Sequence, residues 1–196
     1  VAKKKKMSRV IVGVDEVGRG CLAGPVVTAA VVIPHELPWV AEIKDSKKLT
    51  HKKRVEFSKL IMSTCHWAIR DASVHHIEDT NILEATLWSM RKSVVALSAQ
   101  VKPDLVLVDG NQRIPDLEFP QETIKNGDNL YKCIGAASII AKVYRDNYMT
   151  GMHAHFPQYN WAKNKGYGTE EHRQAIMEHG ITKEHRKTFR GVTEYV

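Results

Sequence analysis

The chain has 196 residues, 43% of them hydrophobic and 26% charged, which is enough to bury a core without disulfides or a structural metal and excludes disordered and fibrous proteins. Lysine and arginine outnumber aspartate and glutamate by 29 to 22, a formal charge of +7, so the surface favours polyanions and nucleic acid leads the partner classes. The longest apolar run, Val26 to Ile33, falls far short of the roughly 20 residues that span a bilayer, so no membrane helix is expected.

Residues 1–9 include four lysines and read as a basic disordered leader, with initiation at Met7 also natural. Asp15 and Glu16 break the apolar run behind it, which rules out a secretion signal. Cys21, Cys65 and Cys133 are scattered without C-x-x-C spacing and suit a reducing cytoplasm.

Val10 to Val14 and Val26 to Ile33 are short β-branched apolar runs, the pattern of strands buried on both faces, with a glycine-rich turn between them. Thr50 is placed to cap a basic helix through about Ser63, and His66 to Val74 alternates as a third strand. Leu83, Leu87, Met90, Val94 and Leu97 recur at steps of four and three, which predicts an amphipathic helix over Asn81 to Ser98. Pro103 ends helical structure, Leu105 to Val108 forms a buried strand, and Gly110 to Pro120 reads as loop. A brief strand at Glu122 to Ile124, a Gly127-Asp128 turn and a helix over Ile134 to Tyr148 follow. Past Pro157 the chain turns aromatic and basic, with one further helix over Thr169 to His179. Strands interleaved with helices in this order predict an α/β fold, a mixed sheet covered by helices on both faces.

Two of the apolar strands end in acid. Asp15 and Glu16 follow the first, Asp109 ends the Leu105 to Val108 strand, and Asp128 sits at a turn before a helix. If the two strands are neighbours, their C-terminal ends bring three carboxylates together and Asp128 can complete the set. Such a cluster repels itself and raises its own pKa values unless cations sit in it, and oxygen ligands of this kind select Mg²⁺ or Mn²⁺. Beside a basic surface it suits two-metal phosphodiester hydrolysis, with no nucleophilic side chain required. Taken singly, each of the four also reads as a turn residue or helix cap.

Asp15-Glu16-Val17-Gly18-Arg19-Gly20 resembles the opening signature of the bacterial type 2 ribonuclease H family, and Leu22-Ala23-Gly24-Pro25 continues the match. Asp45 to Leu49, Asn81-Ile82-Leu83, Val108-Asp109-Gly110, Gly127-Asp128 and Ala136 to Val143 with Arg145-Asp146 occur in the family's order and span most of the chain. The resemblance implies an RNase H-like fold with a helical C-terminal extension, organised as a catalytic domain over 10–160 and a substrate-binding helical segment over 161–196. It implies Asp15, Glu16, Asp109 and Asp128 as the catalytic, metal-holding set. It also implies that the Gly18-Arg19-Gly20 backbone reads the ribose 2′-OH, that Tyr167 packs on the sugar beyond the ribonucleotide, and that Lys47 contacts a phosphate. Asn81 is placed either to hold the nucleic-acid strand or to cap a helix.

The activity so implied is endonucleolytic hydrolysis of the RNA strand of RNA/DNA hybrids and of duplex DNA containing single ribonucleotides. Cleavage 5′ to the ribonucleotide would leave 3′-OH and 5′-phosphate ends, by a monomeric cytoplasmic enzyme. Two alternatives stand beside it. One is a noncatalytic hybrid-binding protein; the other is a type 3 ribonuclease H, for whose added N-terminal domain the nine residues before the first strand leave no room. Asp146 reads as a supporting carboxylate rather than a direct ligand. His153, His155, His172, His179 and His185 lack zinc-ligand spacing and read as surface histidines. Departures from the family pattern are Val17 for alanine, Cys21 for proline, Cys133 for serine and Gly135 for alanine, the last expected to cost its helix about 1 kcal/mol.

Overall fold

The computed structural model of the chain describes residues 9–35, 37–43 and 49–196. The leader up to residue 8, and Lys47 with its neighbours 44–48, lie outside the described residues. Five strands form one sheet: β1 (Ile11–Val17), β2 (Val26–Val32), β3 (His66–Ala72), β4 (Leu105–Asp109) and β5 (Gln121–Ile124). Their order is β3-β2-β1-β4-β5. β1 pairs antiparallel with β2, and β2 with β3, while β1 runs parallel to β4 and β4 to β5. The expected mixed sheet is thus present, with helices on both faces.

Strand alternation divides the core. Val12, Val14, Ala30, Val32, Val106 and Val108 face one side, where Met90, Val94 and Leu97 of α3 (Ile82–Ser98) cover them. Val27, Ala29 and Val31 face the other. There they meet Phe57 and Ile61 of α1 (His51–Thr64), and Ala136, Ala137 and Ile140 of the long helix α5 (Lys132–His153). Each such valine, leucine, isoleucine, methionine or phenylalanine side chain, fully buried, stabilises the fold by about 1.5–3 kcal/mol before chain entropy is subtracted.

Thr50 caps α1 by accepting from Lys53 N, and Asn81 caps α3 through Oδ1, which accepts from Leu83 N and Glu84 N. Two expected boundaries move. β1 does not stop at Val14, because its pairing with β2 continues to Val17, so Asp15 and Glu16 lie within the strand rather than after it. The Gly127-Asp128 turn is a single helical turn, α4 (Gly127–Leu130), entered through Asn126 at φ 55°. The short helix α2 (Val74–Asp79), capped by Ser73, was not foreseen.

The C-terminal part returns to the same body. α6 (Trp161–Asn164), α7 (Glu170–His179) and the tail pack on α5 and on the turn after β1, around Leu22, Ala23, Met149, Tyr159, Trp161 and Ile176. Among the described residues no helix is long and apolar enough to cross a membrane.

Candidate active site

Register places the acidic residues. In the parallel pair of β1 and β4, Val14 stands opposite Val108, and both point into the α3 side of the core. The next residues, Asp15 and Asp109, therefore share the opposite face at the C-terminal ends of adjacent strands. Asp15, Glu16 and Asp109 all line one cavity of about 440 Å³. Asp128 is buried in α4 and its carboxylate Oδ1 accepts from Asn129 Nδ2 at 3.1 Å. It is not among the residues lining that cavity, although the preceding residue donates Gly127 N to Asp109 Oδ1 at 2.7 Å.

The carboxylates are held at an electrostatic cost. Burial pushes Asp15 well above the ordinary carboxylate range, and the charges of Glu16 and Asp109 push it further, against a hydrogen bond with Ser138. Burial also raises Glu16, with Asp109 adding to the rise and Arg19 opposing it. Arg19 Nη1 stands 3.6 Å from Glu16 Oε1. Among the described residues no three His, Cys, Asp or Glu side chains are grouped closely enough to hold one metal ion. Each carboxylate has a local contact: Arg19 Nη1 stands near Glu16 Oε1, Asp15 Oδ1 accepts from Glu16 N at 2.7 Å, and Asp109 Oδ1 accepts from Gly127 N.

The glycine-rich turn forms another wall, with Gly18 and Arg19 lining the cavity. Gly18 adopts φ +93°, and a Cβ there would lie 2.2 Å from Arg145 Nε, so both backbone and space demand glycine. A Cβ on Gly20 would meet nothing within 4 Å, and that position is open to an approaching ligand. Two buried guanidinium groups fix the turn from beneath. Arg145 donates to the carbonyls of Pro25, Lys165 and Ala23 at 2.9, 2.8 and 2.9 Å. Arg186 donates to those of Gly24 and Arg19, both at 2.9 Å.

Tyr167 completes the wall: it lines the cavity, is 39% exposed, and its strand-like bridge to Cys21 ties it to the same turn. Lys142 Nζ sits 5.6 Å from the Tyr167 ring centroid and donates to Asp146 Oδ1 at 2.8 Å. Asp146 thereby supports a cavity-lining cation and is itself absent from the lining. Asn81 also lies elsewhere, at the exposed start of α3.

Three lining residues were not singled out from sequence: Arg54, Ser138 and Lys142. The signal was there for two of them. Ser138, Lys142 and Asp146 fall four apart on α5, a polar stripe beside its buried Ala and Ile residues. The reading of all five C-terminal histidines as surface residues is corrected for two, since His172 and His185 are fully buried. They pair with each other, Nε2 to Nε2 at 3.1 Å, and lie among Tyr159 and Trp161.

A mixed sheet with acidic residues at the ends of two adjacent parallel strands, helices on both faces and a basic, glycine-rich wall has the architecture of the ribonuclease H nucleases. Solved structures carry the same fold. Ribonuclease H2 from Pyrococcus horikoshii OT3 superposes with a TM-score of 0.74 at 27% identity, covering 95% of this chain and 96% of that one. An RNase HIII, Bst-RNase HIII in complex with Mn²⁺, gives 0.76 at 20% identity over 96% and 69%. The family model described as Ribonuclease HII matches residues 12–192. A Ribonuclease HII of Wolbachia pipientis subsp. Culex pipiens is 51% identical over 183 residues, 93% of this chain and 91% of that protein. The chain belongs to the ribonuclease HII family, and is accordingly a ribonuclease H, a nuclease of RNA paired with DNA.

Proposed function

We propose that this enzyme cuts the RNA strand of RNA/DNA hybrids and also cleaves 5′ to ribonucleotides embedded in duplex DNA, leaving 3′-OH and 5′-phosphate ends. The proposal includes Mg²⁺ or Mn²⁺ held by Asp15, Glu16, Asp109 and Asp128. The observation that carries it is the parallel register of β1 and β4. That register sets Asp15 beside Asp109 in one cavity with Glu16, Gly18, Arg19 and Tyr167.

The donor chemistry suits hard divalent cations, and gathering three of these carboxylates on one ion requires their side chains to turn from the arrangement seen here. The set offers only oxygen, and the raised pKa values of Asp15 and Glu16 mark negative charge that burial and repulsion leave short of neutralisation. When bound, the ions supply a nucleophile at neutral pH and offset the charge that builds on the phosphate.

The chain's own groups do the rest. Arg19 balances Glu16 and, being exposed, reaches toward the phosphate backbone, as does Lys142 at the cavity wall. Backbone amides and carbonyls of Gly18 to Gly20 meet the ribose 2′-OH, the group that separates RNA from DNA. Tyr167 packs on the next sugar, and Lys47 contacts a phosphate. Asn81 is engaged through Oδ1 as a cap, so its Nδ2 is the group that would meet the strand. The three free cysteines of the chain are consistent with work in the cytoplasm.

The test is incubation of a DNA duplex containing one ribonucleotide with Mg²⁺ or Mn²⁺, with the cut mapped to the nucleotide. Cleavage 5′ to the ribonucleotide is expected, stopped by EDTA and nearly abolished by Asp109→Asn while substrate binding survives. An active Asp109→Asn enzyme, or a cut at another position, would refute the assignment.

A further inference from the structure

Beneath Tyr167 lies a closed set of hydrogen bonds that the cleavage chemistry does not use. The Tyr167 carbonyl accepts from Thr169 N at 2.8 Å and faces His172 Nδ1 at 2.9 Å. A carbonyl can only accept, so His172 carries its proton on Nδ1. His172 Nε2 accepts the Trp161 indole N–H at 3.0 Å and lies 3.1 Å from His185 Nε2. His185 Nδ1 accepts from Thr182 N at 3.0 Å, which leaves its proton on Nε2, pointing at His172. The single lone pair of His172 Nε2 is thus shared between the Trp161 and His185 N–H groups.

The N–H donors therefore align head to tail from the backbone at Thr182 through two imidazoles to the backbone of Tyr167. Both rings are fully buried and wedged against Tyr159 and Trp161, with ring centroids 4.7 Å apart between His185 and Tyr159. Neither can flip without breaking bonds at both ends, and a broken buried bond leaves an unsatisfied polar group. The last of these bonds reaches a residue that lines the cavity with Asp15 and Asp109.

We propose that His172, backed by His185, is a positioning residue that holds Tyr167 in the cavity wall and so sets how tightly the enzyme grips a ribonucleotide joined to DNA. This rests on the role assigned above to Tyr167. His172 touches no substrate itself; it acts through the main chain of the tyrosine.

The experiment is a double-mutant cycle on a DNA duplex with a single embedded ribonucleotide in Mg²⁺, using wild type, His172→Phe, Tyr167→Ala and the combined variant. Loss of one positioning bond should raise KM about tenfold in His172→Phe with kcat little changed. In the Tyr167→Ala background the same substitution should add less than about twofold. His172→Asn, whose side-chain amide can stand in for the Nδ1–H, should bring KM back to within about threefold of wild type. It should nevertheless melt at a lower temperature, because Trp161 loses its acceptor. That split between stability and KM keeps the proposal testable should His172→Phe not fold.

Equal effects of His172→Phe with and without Tyr167, or a KM for His172→Asn well above wild type, would overturn the proposal while leaving the role of Tyr167 standing. An unchanged KM for Tyr167→Ala alone would overturn both.

Discussion

The buried histidine pair makes acid sensitivity of the fold calculable. Burial and the neighbouring imidazole lower His185 from its ordinary value of 6.5 to about 3, and burial lowers His172 in the same direction. The folded state keeps His185 neutral where the unfolded chain takes up a proton, so the unfolded state binds more protons between these values. Stability is then fully present above about pH 6.5 and falls as pH drops, until the folded form itself titrates near pH 3. At roughly 1.4 kcal/mol per pH unit, lowering the pH from about 7 to about 5 removes about 2 kcal/mol through His185.

Asp15, Glu16 and Asp71 oppose this. Their folded pKa values are raised, so acid relieves them and adds stability. The measurement is therefore a difference between wild type and His185→Phe, in which the carboxylate contributions cancel. Urea titrations at the two pH values read it directly. With a slope near 2 kcal/mol per M, the wild-type midpoint should fall about 1 M more than that of the variant. Parallel pH dependence in the two proteins would refute the neutral, buried pair.

Two glycines give sharper structural tests. Gly18→Ala forces φ +93° on a residue with a Cβ placed 2.2 Å from Arg145 Nε; strain of about 1–2 kcal/mol plus displacement of Arg145 should lower Tm by several degrees and raise KM, as melting and initial-rate curves would show. Gly135→Ala should gain about 1 kcal/mol in helix propensity, but its Cβ would stand 2.9 Å from the Asp128 carbonyl oxygen and 3.1 Å from Ile43 Cγ2. No net gain in Tm and a lower kcat are expected, and an alanine variant both more stable and fully active would contradict the packing argument.

The same Gly135 shows where sequence reasoning stops. Propensity alone counted the glycine as a loss to its helix, because the backbone of Asp128 pressing on that position is a tertiary fact. What periodicity and caps could reveal was readable: the apolar stripe of α3, the caps Thr50 and Asn81, and Asp109 at the end of β4. Asp15 and Glu16 were found but placed beyond β1, since nothing in Val10 to Val17 says how far β2 pairs along it. The buried histidines and the guanidinium groups of Arg145 and Arg186 were missed as core. Polar side chains enter a core when carbonyls and ring nitrogens await them, and residue type alone does not reveal those partners. The local partners of Asp15, Glu16 and Asp109 were equally beyond spacing arguments.

The pairing of β1 with β4 bears on when this protein can fold. Val14 must find Val108, and two strands and three α-helices intervene between them, so the contact waits on long-range closure. A nascent chain that has emerged only through α3 holds β1 but lacks β4, and cannot form the parallel half of the sheet. The parallel half of the sheet, and with it the cavity that Asp15 and Asp109 line, is thus completed only after β4 and β5 have been made.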